Sequence, residues 1–563
     1  MKVVIVGGVA GGASAAARLR RLDEQAEIVV LERGPYISYA NCGLPYYIGG
    51  DISEKSALTL QTPESFYSRF RIDVRVNSEV TAIDRANRQV TVQCGETVYQ
   101  ERYDKLILSP GAKPILPPIP GVDSERVFTL RTIPDTEKIR AFIETHQPKT
   151  AVVVGGGYIG AEMAENLSQA GLSVTIVELS DHVIGPLDFD IACEVRSYLE
   201  HKGIRVLLNT GVEAISLETD ETLLVSLSKS RSLKADMVLL SAGVLPDTAL
   251  AKAAGLVLSQ KDAIRVDQHM QTSDPDIYAV GDAVEIVDYV SKHPGYVPLA
   301  GPANKQGRIA ADNICGYPSV YNGTQGSSVL KLFDMTIAAT GLSERAARAA
   351  GYACDKVFTF SPSHAGYYPG ASNLSIKTVF ELETGKILGA QIVGFSGVDK
   401  RIDVFATAIR ANMTAFDLAQ LELAYAPPYS SAKDPVNMAG FVIENILTKK
   451  FKQFHWHDVA TLPKDGSVTL LDVRTDSERK NGFIPGSVHI PLDRLRGAMD
   501  KLDRQKPVYV NCHSGLRSYI ACRILTQNGF DCYNLSGGFR LYEKVMLNAA
   551  FDGTPRHACG IAL

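Results

Sequence analysis

The sequence predicts an α/β fold with two Rossmann-type dinucleotide-binding units, because one pattern occurs twice along the chain. In each copy an apolar strand leads into a glycine turn, a helix, a second strand and an acidic residue. The first copy ends at Glu32 and the second at Glu178. A helix N-terminus at such a turn binds pyrophosphate, and the terminal carboxylate binds a ribose. A further α/β pattern begins near residue 469, and 563 residues suggest about three or four domains.

The first glycine turn departs from the strict G-x-G-x-x-G pattern, since Val9 stands where the middle glycine belongs. A strand is predicted from Lys2 to Val6 and an alanine-rich helix from Ala13 to Leu22. We predict that this unit holds a dinucleotide through the turn and the end of its second strand. The residues concerned are Gly7, Gly8, Ala10, Gly11, Gly12, Glu32 and Arg33.

The second glycine turn keeps all three glycines, and its acidic residue follows Gly155 by 23 residues. The carboxylate of Glu178 can accept both ribose hydroxyls but would repel a 2′-phosphate, so NADH is favoured and NADPH is disfavoured. The residues predicted to hold NADH are Gly155, Gly157, Tyr158, Ile159, Gly160, Glu178 and Gly243.

A later segment points to FAD as the other dinucleotide. Residues 272–282 contain a turn, a strand and an exposed acid, and they resemble the second FAD fingerprint of glutathione-reductase-like flavoproteins. In that group the final aspartate, here Asp282, bonds the ribityl chain. Residues 109–112 resemble the loop that returns the chain from the NAD-binding insertion. The resemblance implies a two-dinucleotide flavoprotein whose FAD set also includes Val80, Ser109, Gly111, Asp282 and Ala300.

The loop at residues 39–46 carries one cysteine, Cys42, and Tyr47 occupies the usual position of a disulfide partner. The nine cysteines form no C-x-x-C pair and no zinc-ligand cluster, so no metal site is predicted. In the predicted fold Cys42 would lie beside the flavin, and a helix N-terminus at Gly43 would make its thiol more nucleophilic. Cys42 would then exchange with a thiol of the substrate, as a mixed disulfide or persulfide, or cycle through sulfenic acid.

These motifs resemble the coenzyme A-disulfide reductase family and its persulfide-reducing relatives over roughly residues 1–446. The flavin turn of that family carries the same interruption that Val9 makes. The resemblance implies a homodimer in which Tyr367 and Tyr425 reach the reactive cysteine of the other subunit. It also implies a coenzyme A site at Arg18, Arg21, Ser38, Asn41 and Asn304. Some relatives have a histidine in place of Asn304 and a lysine in place of Phe70, which leaves the preferred thiol open.

Three later segments, residues 469–474, 483–491 and 508–518, resemble a single-domain rhodanese. Cys512 lies between a strand end and a helix start, so backbone N–H groups can surround its sulfur, and Arg517 adds a fixed positive charge. Such a loop stabilises a thiolate or persulfide. It has six residues, one fewer than in the related phosphatases, which favours sulfur transfer. Cys522 and Cys532 are predicted core residues, and Cys559 is a free thiol without an assigned role.

The predicted architecture is therefore α/β, with FAD- and NAD-binding Rossmann-type domains, an α+β dimerisation domain and a C-terminal α/β rhodanese domain. The predicted boundaries are residues 1–113 and 245–322 for the FAD-binding domain and 114–244 for the NAD-binding domain. Residues 323–446 are assigned to the dimerisation domain and 453–550 to the rhodanese domain.

The predicted function is NADH-dependent reduction of coenzyme A disulfide, coenzyme A persulfide and polysulfide, with the rhodanese domain delivering sulfane sulfur. One alternative is an NADH peroxidase or oxidase that uses a sulfenic acid at Cys42. It is the weaker interpretation, because peroxidases carry a histidine in the first glycine turn, where this chain has Ala10. The other alternative is a sulfurtransferase with the flavoprotein part as its reducing helper.

The composition argues against nucleic-acid and membrane partners. A net charge of −4 provides no basic field, and no run reaches the ~18 apolar residues that span a bilayer. The N-terminus lacks the features of a signal peptide. We therefore expect a cytoplasmic enzyme that acts on small thiols, disulfides and sulfane sulfur donors.

Overall fold

The computed structural model describes residues 1–549, so Cys559 lies outside the described residues. In chain order the strands are β1 (Lys2–Val6), β2 (Glu27–Leu31), β3 (Asp73–Arg75), β4 (Glu79–Asp84), β5 (Gln89–Cys94), β6 (Thr97–Arg102), β7 (Lys105–Leu108), β8 (Ala112–Pro114), β9 (Val127–Phe128), β10 (Thr150–Val154), β11 (Ser173–Val177), β12 (Arg205–Leu207), β13 (Val212–Leu217), β14 (Leu223–Leu227), β15 (Arg231–Ala235), β16 (Met237–Leu240), β17 (Val244–Pro246), β18 (Ile277–Ala279), β19 (Ile286–Val287), β20 (Pro294–Gly295), β21 (Ser328–Leu332), β22 (Met335–Gly341), β23 (Cys354–Pro362), β24 (Asn373–Glu381), β25 (Ile387–Gly394), β26 (Lys452–Phe454), β27 (Thr469–Asp472), β28 (Val488–His489), β29 (Val508–Asn511) and β30 (Cys532–Leu535). The helices are α1 (Ala10–Leu22), α2 (Leu44–Gly49), α3 (Pro63–Phe70), α4 (Ile133–His146), α5 (Tyr158–Gln169), α6 (Phe189–His201), α7 (Ala249–Ala253), α8 (Ala300–Ile314), α9 (Glu344–Ala349), α10 (Val398–Arg410), α11 (Ala415–Gln420), α12 (Pro435–Leu447), α13 (Asp476–Lys480), α14 (Leu492–Leu495), α15 (Leu516–Gln527) and α16 (Gly538–Ala549).

The described chain forms two compact units: residues 1–179 with 203–326, and residues 180–202 with 327–549. The first unit contains two parallel five-stranded sheets, in the orders β18-β7-β1-β2-β3 and β12-β11-β10-β16-β9. Their central strands are continuous apolar runs, as expected of parallel strands covered on both faces. Two antiparallel meanders, β4-β5-β6 and β13-β14-β15, accompany these sheets.

The two glycine turns of the first unit are built in the same way. Gly7 and Gly155 have φ angles of +96° and +104°, and a Cβ atom on either would lie within 2.3 Å of a backbone oxygen. A Cβ on Gly12 or Gly160 would lie 1.9 Å from the carbonyl oxygen of the first glycine of its own turn. Close packing of each helix on its turn therefore requires glycine. Helix α1 begins at Ala10 rather than at the predicted Ala13, because Gly11 and Gly12 form its first turn.

The second unit contains an antiparallel sheet in the order β21-β22-β25-β24-β23, with α10 and α12 packed on it. A buried charge cluster ties helix α6 to this sheet. The Nζ atom of Lys377, which has no exposed surface, lies 3.0 Å from Asp188 and from Asp190 and 3.1 Å from Glu344. Glu344 also pairs with the buried Lys356 at 2.8 Å, so three carboxylates and two ammonium groups form one buried ion cluster.

The C-terminal part of this unit is a parallel sheet in the order β26-β30-β29-β27-β28. Cys522 and Cys532 are buried in its core, as predicted. Its first strand follows helix α12, and His455, just beyond that strand, bonds Asp355 through Nε2 at 2.9 Å. This strand end is thereby joined to β23 of the antiparallel sheet.

The predicted fold class is confirmed, with two Rossmann-type sheets, an α+β domain and a C-terminal α/β domain. Among residues 1–549, the helices lack the combination of length and hydrophobicity that crossing a bilayer requires.

Candidate functional site

The first unit contains a cavity of about 860 Å³, a volume within the range of cofactor sites. Its wall brings together the glycine turn, the end of β2, the Cys42 loop and the loop after β18. The predicted FAD residues that line it are Gly7, Ala10, Gly11, Glu32, Arg33, Val80, Ser109, Gly111, Asp282 and Ala300. The sequence-distant parts of the predicted set therefore meet at one cavity.

Two residues of the predicted FAD set, Gly8 and Gly12, do not line the cavity but pack against neighbouring protein atoms. A Cβ on Gly8 would lie 2.9 Å from the Ile37 side chain, and Gly12 packs against the turn. The Gly8 N–H donates to Oε2 of Glu32 at 2.8 Å, and the Gly34 N–H donates to Oε1 at 2.8 Å. These bonds hold the carboxylate at the cavity edge, where a ribose-binding acid is needed.

The cavity fits a dinucleotide. The N-terminus of helix α1 opens onto it and provides a partial positive charge for a pyrophosphate. Arg131 also lines the wall and forms an ion pair with Asp282 at 3.0 Å. Arg131 lies in an irregular loop that carries no motif, so the sequence did not predict it.

Cys42 lies on the accessible wall of this cavity as a free thiol. It occupies a short 3₁₀ turn, Asn41–Gly43, and α2 begins at Leu44. Burial among protein atoms raises the pKa of this thiol, and the charge of Glu162 raises it further. Burial and Glu162 oppose the effect expected from the N-terminus of α2, so the prediction that this helix makes Cys42 more nucleophilic stays a prediction.

Glu162, on helix α5, is a second residue that the sequence analysis missed. The hydroxyl of Tyr46, a residue four positions after Cys42, donates to Oε1 of Glu162 at 3.2 Å. Burial raises the pKa of this carboxyl to about 7, and the nearby Glu165 contributes to the rise. The sequence does contain a signal for this residue: Glu162 is an acid one turn after Tyr158, in the helix that follows the second glycine turn.

Three predicted coenzyme A residues, Ser38, Asn41 and Asn304, line the same cavity as Cys42. The Ser14 hydroxyl donates to Oδ1 of Asn304. Oδ1 of Asn41 is buried and has no hydrogen-bond partner within residues 1–549, which suits a group that bonds a ligand.

The three arginines of helix α1 have different environments. Arg18 forms an ion pair with Asp312 at 2.7 Å, and Arg21 is exposed at the helix end. Arg20 is buried and donates to four backbone oxygens, at residues 23, 24, 70 and 71, so it is structural. Arg18 and Arg21 thus lie along α1 from Ser14 rather than on the cavity wall.

The second glycine turn has the geometry predicted for NADH. Gly157 precedes helix α5, which contains Tyr158, Ile159 and Gly160, and open space surrounds the position of a Cβ on Gly157. Oε2 of Glu178 accepts the Gly156 N–H at 2.6 Å. Gly243, with φ of +107°, follows the neighbouring strand β16. A backbone that is open at Gly157 allows close approach of a pyrophosphate.

In the second unit the structure brings Tyr367 and Tyr425 together. Their hydroxyls are hydrogen-bonded at 2.9 Å, and the residues are 76% and 48% exposed. This bond raises the pKa of Tyr367. Two exposed phenols that share a proton can act on a group presented from outside this unit.

The second sulfur site is the loop between β29 and α15. Cys512 is fully buried, and its Sγ accepts the Gly515 N–H at 3.1 Å and the Ser518 hydroxyl at 3.2 Å. One of these two donors is a backbone N–H, and together they can stabilise a sulfur anion. Arg517 was expected to give the sulfur a positive charge, but its guanidinium donates to both carboxylate oxygens of Glu478, at 2.6 and 2.7 Å. The sequence analysis did not identify Glu478.

Comparison with known families accounts for this arrangement. Residues 1–307 match the family model "Pyridine nucleotide-disulphide oxidoreductase", and residues 327–435 match the dimerisation domain of the same family. The chain belongs to the pyridine nucleotide-disulphide oxidoreductases. Residues 456–544 of this oxidoreductase match the model "Rhodanese-like domain".

Named relatives of this oxidoreductase act on sulfur compounds. The coenzyme A disulfide reductase of Staphylococcus haemolyticus is 37% identical over 443 residues, 78% of this chain and 98% of the relative. The crystal structure of reduced CoADR-RHD from Bacillus anthracis superposes with a TM-score of 0.94 at 48% identity, covering 97% and 98% of the two chains. An NAD-dependent persulfide reductase from A. fulgidus gives a TM-score of 0.90 at 38% identity, covering 96% and 100%.

These findings confirm the predicted family, and the FAD and NADH binding that its members share. The dimerisation domain supports the expected homodimer. The roles of the individual site residues and the four domain boundaries stay predictions.

Proposed function

We propose that this oxidoreductase reduces coenzyme A disulfide, coenzyme A persulfide and polysulfide with NADH, through a mixed disulfide on Cys42. The observation that carries the proposal is the position of Cys42, an accessible thiol on the cavity that the FAD residues line. Within residues 1–549 the cavity wall holds no second cysteine. A single thiol completes a reductive cycle only when the substrate supplies the other sulfur.

The sulfur chemistry balances with Cys42 alone. Its thiolate attacks the carbon-bearing sulfur of a thiol persulfide, the sulfur–sulfur bond breaks, and hydrosulfide leaves while Cys42 keeps the thiol as a mixed disulfide. FAD held by the residues of this cavity would supply the two electrons from NADH that cleave this disulfide. The products are the free thiol and the Cys42 thiolate.

Proton supply falls to Glu162 and to the tyrosine pair. A carboxyl with a pKa of about 7 exchanges protons readily at neutral pH, and it contacts the helix next to Cys42 through Tyr46. We propose that Tyr367 and Tyr425 of the second subunit protonate the thiolate that leaves the mixed disulfide on Cys42. A phenol can donate a proton there without acting as a competing nucleophile.

Thiol recognition is assigned to two groups of residues. Ser38, Asn41 and Asn304 provide polar contacts at the cavity, and the unpaired Oδ1 of Asn41 supports this assignment. Arg18 and Arg21 extend from it along α1 and suit the phosphates of coenzyme A.

The rhodanese-like domain is assigned to sulfur delivery. Cys512 accepts a sulfane sulfur from a donor as a persulfide, which the Gly515 N–H and the Ser518 hydroxyl stabilise. A coenzyme A thiolate then attacks the outer sulfur, and the Cys512 thiolate leaves. The eight cysteines of the described chain are free thiols, as is typical of a reducing compartment. We therefore assign the homodimer to the cytoplasm.

Two substitutions test the proposal with the full-length holoenzyme. Cys42→Ser should lower NADH-dependent sulfide release from preformed coenzyme A persulfide by at least about 100-fold, because the mixed disulfide cannot form. Cys512→Ser should leave that rate within about twofold and abolish sulfur transfer from donor to thiol. Undiminished sulfide release by the Cys42→Ser enzyme would exclude this mechanism. Loss of both activities in the Cys512→Ser enzyme would favour a sulfurtransferase with a reducing helper.

A further inference from the structure

The charges around the Cys512 loop are almost balanced. Arg517 is the cation nearest the loop in sequence, and Glu478 engages it through two short bonds. The hydrogen bonds from Arg517 lower the pKa of Glu478 to about 2, so this carboxylate is ionised at neutral pH. The pair is only about one-third exposed, which limits screening by solvent.

The other arginines near the loop are also paired. Arg474 and Arg479 both bond Asp472, at 2.7 and 3.1 Å. Arg540, whose backbone N–H donates to the His513 carbonyl, lies 3.6 Å from Glu194. Four arginines thus face three carboxylates.

The loop itself adds no further cation within the described chain. Desolvation lowers the pKa of His513; Glu478 raises it, the neighbouring arginines lower it, and the net shift is downward, which favours the neutral imidazole at pH 7. Leu516, at the start of α15, is 60% exposed and makes the loop surface partly apolar. The surroundings therefore compensate about one negative charge, that of the Cys512 thiolate or persulfide.

We propose that Glu478 determines the sulfur donor: by neutralising Arg517 it favours organic thiol persulfides over the dianion thiosulfate. The inference deepens the proposed function, because it requires that Cys512 accepts sulfane sulfur. Thiosulfate brings two negative charges to a loop whose thiolate already carries one. A thiol persulfide brings at most one at its sulfur, and its carbon chain can lie against Leu516.

The same reaction takes place with either donor. The Cys512 thiolate attacks the outer sulfur, the sulfur–sulfur bond breaks, and the electron pair leaves with sulfite or with the thiolate. Cyanide then removes the outer sulfur as thiocyanate and restores the Cys512 thiolate. Donor preference is thus measurable without NADH, independently of Cys42.

The test compares Glu478→Gln with the parent holoenzyme in the cyanide assay, using thiosulfate and glutathione persulfide as donors. Glutamine keeps the capping-box contact with Thr475 at the start of α13, so the helix is retained while the charge is removed. Asp476→Asn is the matched control, because Asp476 lies on the same helix and pairs with Arg494 instead of Arg517.

We expect Glu478→Gln to raise kcat/KM for thiosulfate by about tenfold, as removal of one nearby negative charge predicts. The value for the persulfide should change less than about threefold, and Asp476→Asn should alter neither value by more than that. An unchanged donor ratio in Glu478→Gln, or a parent enzyme that prefers thiosulfate, would overturn the inference alone. Absence of thiocyanate from both donors would instead contradict the sulfur-transfer role of Cys512, and the inference with it.

Discussion

At the scale of the residue, the reactivity of Cys42 depends on neighbours that are remote in sequence. Burial and the charge of Glu162 keep its proton on the thiol, while Arg131 acts in the opposite direction. Glu162 in turn holds a proton to about pH 7 because it is buried. The sequence predicted the thiol from the motif around it, but it could not predict Glu162, which reaches Tyr46 across 116 positions of the chain.

Replacing Glu162 by Gln should lower the pKa of the Cys42 thiol. The Glu162 carboxylate, ionised above about pH 7, repels the Cys42 thiolate, and the neutral amide does not. We expect the pH midpoint of Cys42 alkylation in the holoenzyme to fall by roughly half to one unit. Below about pH 6 the parent and the variant should converge, since Glu162 is then protonated.

The control for this experiment is Glu96→Gln, an exposed acid on the β5–β6 turn. It should leave the alkylation midpoint unchanged. A midpoint that rises in Glu162→Gln, or that shifts equally in the control, would refute the electrostatic coupling.

At the scale of the element, the two glycine turns were the most predictable parts of the molecule. A backbone that must pass within 2.3 Å of where a side chain would begin leaves only glycine, so the requirement is visible in the sequence. The sequence could not show that Gly8 and Gly12 pack against protein atoms while the other glycines of the turn line the cavity, because this depends on which side of the turn each residue faces. The loop at Cys512 was predicted for its backbone, whereas the Arg517–Glu478 pair joins two elements that the sequence does not connect.

The end of strand β11 should select NADH. The carboxylate of Glu178 is held by the Gly156 N–H, where a 2′-phosphate would be repelled. We expect Glu178→Gln to raise the ratio of kcat/KM for NADPH to that for NADH by about tenfold, the effect of one charge removed. Glu213→Gln, which changes an exposed acid elsewhere in the first unit, is the control. A ratio that stays constant in Glu178→Gln would show that another residue determines the preference.

At the scale of the whole molecule, the order of domains followed from the sequence, but the packing of helix α6 did not. Residues 180–202 lie between strands of the second Rossmann-type sheet in sequence, yet they pack in the unit that contains the dimerisation and rhodanese domains. One contact that holds them there is buried: the Nζ atom of Lys377 donates to Oδ1 of Asp190, 187 positions away. Alternating apolar residues in β24 predict a strand, but they do not reveal which acid its lysine meets.

Removal of that lysine should destabilise the second unit. Lys377→Met leaves Asp188 and Asp190 without their buried cation, while Glu344 keeps Lys356, and the change costs about 3–5 kcal/mol. The control Lys202→Met breaks a partly exposed pair with Asp334 and should cost about 1 kcal/mol or less. Thermal unfolding followed by circular dichroism compares the two. Equal midpoints for both variants would contradict a structural role for the cluster.

The central claim is that the lone thiol takes its partner sulfur from the substrate. Its most direct test is anaerobic NADH oxidation by the holoenzyme with coenzyme A disulfide, coenzyme A persulfide, polysulfide and hydrogen peroxide side by side, with sulfide quantified. The account predicts the fastest turnover with the persulfide and one sulfide released for each NADH consumed. Peroxide turnover at a comparable rate, without sulfide from the persulfide, would contradict it and would mean that Cys42 cycles through sulfenic acid.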